Sequence, residues 1–181
     1  MNLLKLFIIQ VWLCSHFLAG IPAYPGIPAE SGLPEKDYLF KIERSRDTDV
    51  VYYQINLNTA QKLNIDEPLD IFWIKHTDMN QREHLTRIQR KWSYGIKYLS
   101  ISSERVVFQF RATSTRDFIL QQTENNLQYK VYTQVNGKIM QFEKMYIHFG
   151  NDSFLNPAID KIDLHVSDPD TGIKKVDTFI P

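Results

Sequence analysis

Cysteine is almost absent from this sequence. Cys14 is the only one, and it lies inside the apolar run Leu6 to Ala19 near the start of the chain. No leucine-plus-small-residue lipoprotein pattern precedes it, which argues against lipid attachment there. If export removes that run, the remaining chain has no thiol. Disulfides, a cysteine nucleophile and thiolate metal ligands are then excluded together. The hydrophobic core has to supply the stability alone, although an exported chain sits where disulfides could form.

An excess of either charge is also lacking. Lys and Arg number 21 and Asp and Glu number 21. Loss of residues 1–23 leaves 20 basic and 21 acidic side chains, so no broad field draws nucleic acid or anionic lipid, and no nucleic-acid partner is expected. Long apolar runs are missing as well. Leu6 to Ala19 is diluted by Gln10, Ser15 and His16 and falls short of the roughly 18 apolar residues of a bilayer span. With Lys5 before it and small residues at Gly20 and Ala23, it reads as a signal peptide over 1–23, cleaved near Gly20 or Ala23. The destination is the periplasm or the medium; an uncleaved anchor is the alternative. Pro22, Pro25, Pro28 and Pro34 with Gly26 and Gly32 make residues 24–36 an extended Pro-rich tether. What remains, 37–181, is the size of one domain with one core.

The dominant period in that domain is two. Tyr38–Arg44, Val50–Leu57, Leu69–Lys75, Glu104–Ala112, Arg116–Gln122, Leu127–Val135, Lys138–Phe149, Asp160–Val166 and Ile173–Ile180 alternate or are rich in β-formers. Asn136-Gly137 is a hairpin signal, because a type I′ turn needs positive φ at both centres. Ser167 to Gly172 marks a second hairpin with a longer loop. One segment asks for a helix: between Thr77 and Ser93, Leu85, Ile88 and Trp92 fall at spacings of three and four. Thr77 or Asp78 can cap its start, and Tyr94-Gly95 ends it. The expected fold is mainly β: an antiparallel meander of about ten strands, closed as a barrel or folded as a sandwich. The helix belongs between the third and fourth strands.

Several stretches together resemble a family. VVYYQINL, a polar loop ending at Pro68, IFWIK, and EHLTRIQRKW running into SYGIKY are similar to the domain-of-unknown-function family numbered 4833. The closing KIDLHVSDPDTGIKKVDTFIP is similar to that family's C-terminal hairpin. The resemblance covers Tyr38 to Pro181 and implies an exported Gram-negative protein with no established activity. It also implies an acidic residue in the helix near Gln89, where this chain carries the amide.

Chemistry-bearing residues do not form a known motif. His76, His84, His148 and His165 lack HExxH or comparable spacing, and surface or hydrogen-bonded roles account for all four. GxSxG and SxxK are absent, so a local nucleophile frame is missing. Asp168 to Gly172 superficially resembles a calcium loop but lacks the terminal bidentate acid, and a tight turn explains it. Asn151-Asp152-Ser153 is a formal glycosylation sequon. The polar file Tyr52, Gln54, Gln109, Arg111, Gln128, Lys130, Tyr132 and Gln134 is expected to face solvent, with a lumen lining as the alternative.

One region is charge-asymmetric. Arg82, Arg87, Arg90, Lys91 and Lys97 stand against Glu83 alone, with Trp92, Tyr94 and Tyr98 interleaved. The expected ligand contacts are therefore Arg87, Arg90, Tyr94 and Arg111, since guanidinium forks and tyrosine suit an anionic small molecule or glycan. No catalytic residue, metal or cofactor is implied. The function expected is an exported, non-enzymatic binding or interaction module. Two alternatives stay open: a hydrolase or isomerase whose site is assembled from distant residues, and an envelope structural protein partnered with another envelope protein.

Overall fold

Asn136 and Gly137 take φ values of 50° and 80°, the two positive angles of a type I′ turn. Val135 therefore lies opposite Lys138, as the dipeptide predicts. The computed structural model describes residues 38–123, 128–150 and 158–181. The expected signal peptide, its Cys14, the Pro-rich tether and the Asn151 sequon lie outside the described residues, as does the side chain of Trp92.

Eleven strands and one helix make up the described chain. They are β1 (Phe40–Arg44), β2 (Asp47–Ile55), β3 (Leu69–Lys75), β4 (Gln81–His84), α1 (Arg87–Trp92), β5 (Ile96–Ile101), β6 (Arg105–Phe110), β7 (Thr113–Gln122), β8 (Tyr129–Val135), β9 (Lys138–Phe149), β10 (Ile159–Ser167) and β11 (Lys174–Phe179). Each strand pairs antiparallel with the next, apart from β4 and β5. The mainly β expectation and the meander hold to that extent.

The purely antiparallel expectation does not. β1 runs parallel to β9, with Lys41 opposite Lys144 and Arg44 opposite Ile147. The reason lies in strand length. β8 covers β9 only from Lys138 to Gln141, while β10 runs along the opposite edge from Gln141 to Phe149. The rest of the first edge would leave backbone donors and acceptors bare, which a buried sheet does not tolerate. β1 fills that gap.

Two four-stranded arms, β1-β2-β3-β4 and β8-β7-β6-β5, thus hang from one edge of β9. They fold toward each other into a half-barrel rather than a closed barrel. The Phe40 ring of β1 lies 6.2 Å from Phe108 and 5.8 Å from Phe110 on β6, contacts that a flat sheet could not make. Phe40 also stacks on Tyr53 at 4.3 Å and meets Phe142 at 5.0 Å. All of these rings are buried, and each such pair adds roughly 0.5–1.5 kcal/mol beyond area burial. The polar file faces outward: Arg111, Gln128 and Gln134 are exposed while Val106, Phe108 and Val131 are buried. No helix among the described residues is long and apolar enough to cross a membrane.

The helix is shorter and later than its apolar spacing predicts. It spans six residues and lies between the fourth and fifth strands. Met79 and Asn80 both take positive φ, so the chain turns sharply there and Gln81–His84 returns as a strand beside β3. Thr86, rather than Thr77 or Asp78, is the N-cap. It forms a capping box in which its hydroxyl accepts from the Gln89 amide and the Gln89 carbonyl accepts from the Thr86 amide. Either Glu or Gln serves at that position, so the amide of Gln89 keeps the cap. Of the expected stripe, Leu85 is buried and Ile88 is exposed.

Gly95 ends this segment for a steric reason. A Cβ there would fall 1.4 Å from the Arg90 carbonyl oxygen. Gly137, by contrast, has positive φ and nothing within 4 Å. Gly95→Ala is expected to destabilise by about 3 kcal/mol, as overpacked sites do, and Gly137→Ala by about 1 kcal/mol from strain alone. Denaturant midpoints of the two variants check the order; a Gly137 effect equal to or larger than the Gly95 effect contradicts it.

Candidate functional site

Arg87, Arg90, Tyr94 and Arg111 are only partly brought together. Arg90 and Arg111 both border Gly95: the Arg111 stem lies 3.3 Å from the position of a Cβ there, and the Arg111 amide donates to the Gly95 carbonyl at 2.9 Å. The Arg90 guanidinium is engaged by Glu67 at 2.8 Å, and Arg87 is exposed. Tyr94 is turned into the core. Its hydroxyl accepts from Arg44 at 2.8 Å and its ring stands edge-on to Trp73 at 5.0 Å. Burial raises the Tyr94 phenol above its ordinary value, although the Arg44 charge works the other way. Tyr94 is thus buried, with its hydroxyl engaged by Arg44 and its ring packed on Trp73.

A different cluster of cations lies on the outer face, where β1, β9, β10 and β11 run side by side. A groove of about 420 Å³ there is lined by Lys41, Lys144, Lys174 and Lys175, with His165, Glu143, Tyr38 and Val176 around them. The strand registers explain the convergence. Lys41 sits opposite Lys144, His165 lies opposite both Lys144 and Val176, and Lys174 is opposite Ser167. In each case neighbours across a ladder share a face.

A bulge completes the arrangement. His165 pairs with Lys144 but Val166 pairs with Phe142, so Glu143 is an extra residue on β9. Bulges re-aim side chains, and here two consecutive residues, Glu143 and Lys144, both line the groove. Phe142 and Met145 on either side stay buried.

The electrostatics leave the groove positive. Glu43 accepts from Lys41 and from Lys144, each at 2.8 Å. Burial disfavours its carboxylate, yet the hydrogen bonds from Lys144 and Lys41 outweigh burial and hold Glu43 below the usual carboxylate value. Burial likewise works against the Lys41 ammonium, but its bond to Glu43 raises it on balance. Lys174 reaches Glu143 at 3.3 Å with its side chain 79% exposed, a pairing worth little in water. Lys175 lies opposite the core residue Val166 and so turns its side chain to the other face; two carboxylates against the three ammonium groups of Lys41, Lys144 and Lys174 leave one positive charge. His165 is held below its ordinary value by burial and then by the charge of Lys144, so it is neutral at neutral pH.

A His–carboxylate pair lies further along the same face. His148 Nε2 is 2.6 Å from Asp163, whose other oxygen accepts from Thr178 at 2.7 Å. The Thr178 bond and the contact with His148 hold Asp163 below its ordinary value against burial. Neither His148 nor Asp163 lines the groove. No group of three or more metal-ligating residues occurs among the described residues. Both oxygens of Asp168, in the loop resembling a calcium site, are engaged by Lys138 and by the amides of Asp170 and Thr171.

Sequence patterning missed the groove because its residues come from the two ends of the domain. Nothing in local spacing announces that β1 lies beside β9, so Lys41 and Lys144, 103 positions apart, could not be placed together.

No curated protein and no solved structure matches the chain. A family model does match, over residues 40–177, a span that takes in both arms and the strands that build the groove. This chain belongs to the family described as a domain of unknown function, DUF4833.

Proposed function

We propose that this protein is an exported, non-enzymatic binding module that captures an anionic ligand in the lysine groove. The convergence of Lys41, Lys144 and Lys174 around His165 carries the reading. Strands hold all four side chains, and a site on strands is positioned more rigidly than one on loops. The volume suits a small ligand, and unneutralised lysines in a groove concentrate anions. Export rests on the apolar run after Lys5 and the small residues at Gly20 and Ala23. Intact-mass analysis of protein from the native host is expected to show a chain beginning near Ile21 or Tyr24; a full-length chain in the membrane fraction contradicts export.

A second reading keeps the ligand beside α1, where Arg90 and Arg111 meet at Gly95. Charge reversal separates the two. Calorimetric titration with a short sulfated oligosaccharide is expected to show at least tenfold weaker binding for Lys174→Glu/Lys175→Glu, with an unchanged thermal midpoint. Both lysines are exposed, so the fold tolerates the change. Arg87→Glu/Arg90→Glu should bind like wild type. The opposite pattern moves the site to the helix.

The groove should also respond to pH. Lys144 and Glu143 of β9, Glu43 of β1, Asp163 of β10, and Lys174 and Lys175 of β11 surround His165 or line its groove. A bound anion favours the imidazolium, so binding takes up a proton and strengthens as pH falls. Glu43, held below the usual carboxylate value, stays ionised through this range. Affinity for the sulfated probe, whose own charge is constant, should rise several-fold from pH 7.5 to 5.5. His165→Asn should flatten that rise; an equal slope in both proteins removes His165 from the site.

A further inference from the structure

We propose that β11 is an interface between two copies of this chain, paired edge to edge about a two-fold axis at Val176. The proposal does not depend on the anion-binding reading above; it starts from the backbone. Among the described residues β11 pairs with β10 alone, so one of its edges has no strand beside it. Antiparallel ladders alternate between hydrogen-bonded and non-hydrogen-bonded pairs. The bond from the Asp168 amide to the Ile173 carbonyl, at 2.9 Å, sets the phase. Lys175 and Asp177 therefore turn their amides and carbonyls to β10, while Lys174, Val176 and Thr178 turn theirs to the open edge.

Open edges are ordinarily blunted, and β11 is not. β4 is four residues long and reads Gln-Arg-Glu-His. β5 is bulged, since Tyr98 lies opposite Phe108 but Ser100 lies opposite Val107. β11 keeps an unbroken register from Lys174 to Phe179, and Ile173, Val176 and Ile180 along it are exposed. A strand of this kind takes another strand. The chain's own residues 24–36 suit the place poorly, because Pro25, Pro28 and Pro34 lack the amide that a ladder needs.

Symmetry and charge select the register. Two copies about a two-fold axis run antiparallel, and the residues that face the open edge must meet one another. An axis at Lys174, Lys175 or Asp177 sets a like charge against itself, which destabilises a sheet. An axis at Thr178 sets Asp177 against Phe179. At Val176 every pair is compatible: Val176 meets Val176, Lys174 meets Thr178, and Lys175 meets Asp177 on both sides of the axis. Lys175 and Asp177 share the inner face, since their β10 partners Val166 and Leu164 are buried. One Asp177 oxygen accepts from Arg116 at 2.6 Å, and the other is left for the ammonium of the second copy. Val176 also walls the lysine groove on the outer face, so this axis sets the two grooves wall to wall.

One strand pair buries less than the roughly 1,200 Å² of a standard interface, so a micromolar dissociation constant is expected. Sedimentation equilibrium of the purified chain, loaded from micromolar to hundreds of micromolar, should show a reversible monomer–dimer equilibrium. Lys175→Asp opposes acid to acid and should weaken it at least tenfold. Val176→Pro removes the amide at the axis, which faces away from β10, and should leave a monomer with the circular-dichroism spectrum of wild type. In a Cys14→Ser background a short bismaleimide should couple Val176→Cys into dimers, and Lys174→Cys or Thr178→Cys far less. A wild-type chain that stays monomeric at every loading overturns the proposal. So does a dimer that resists both Lys175→Asp and Val176→Pro, because its interface then lies elsewhere. Stronger coupling at Lys174→Cys or Thr178→Cys than at Val176→Cys overturns the axis at Val176.

Discussion

The hydrogen-bonding demand of β9 organises this molecule. Twelve residues long, it is longer than the partner that its own tight turn supplies. β10 satisfies one edge, β8 satisfies the beginning of the other, and the backbone groups beyond Gln141 need a further strand. β1 meets that need, and it runs parallel to β9. Once β1 is in place, its own hairpins carry β2, β3 and β4 around to face the second arm, and the interior closes on Phe40, Tyr53, Phe108, Phe110, Phe118 and Phe142. A purely sequential meander would have produced neither the half-barrel nor the facing aromatic layers.

The same pairing makes the surface that matters. Inside the sheet, Phe40 and Ile42 join the core; outside it, Lys41 and Glu43 come up against Lys144. The bulge at Glu143 then gives β9 two outward side chains where alternation allows one. Position and charge are therefore products of one event, the docking of β1. The cations sit on hydrogen-bonded strands, and under the proposed binding role that preorganisation leaves little ordering to be done on capture of a ligand.

What the sequence disclosed followed the range of the forces involved. Period-two alternation revealed nearly every strand, and Asn136-Gly137 and Asp168 to Gly172 marked their turns, because each signal is local. The helix was misjudged since Leu85, Ile88 and Trp92 have helical spacing, yet the consecutive positive-φ residues Met79 and Asn80 force a turn that leaves room for a strand and only six helical residues. Tyr94 illustrates the limit for sites. Its place among basic residues suggested a ligand contact, but the long-range partners Arg44 and Trp73 draw it inward. The lysines of the groove were individually unremarkable in the sequence, because closure between the first and ninth strands leaves no local trace.

An amide-resolved nuclear magnetic resonance titration with the short sulfated oligosaccharide bears most directly on the assembled groove. The central claim is that β1, β9, β10 and β11 together form the ligand-binding surface. The account predicts that chemical-shift changes concentrate at Lys41, Lys144, His165 and Lys174 to Val176, residues scattered along the sequence and adjacent only in this fold. Changes concentrated instead at Arg87 to Lys91 and Arg111, with the groove residues unmoved, would contradict it.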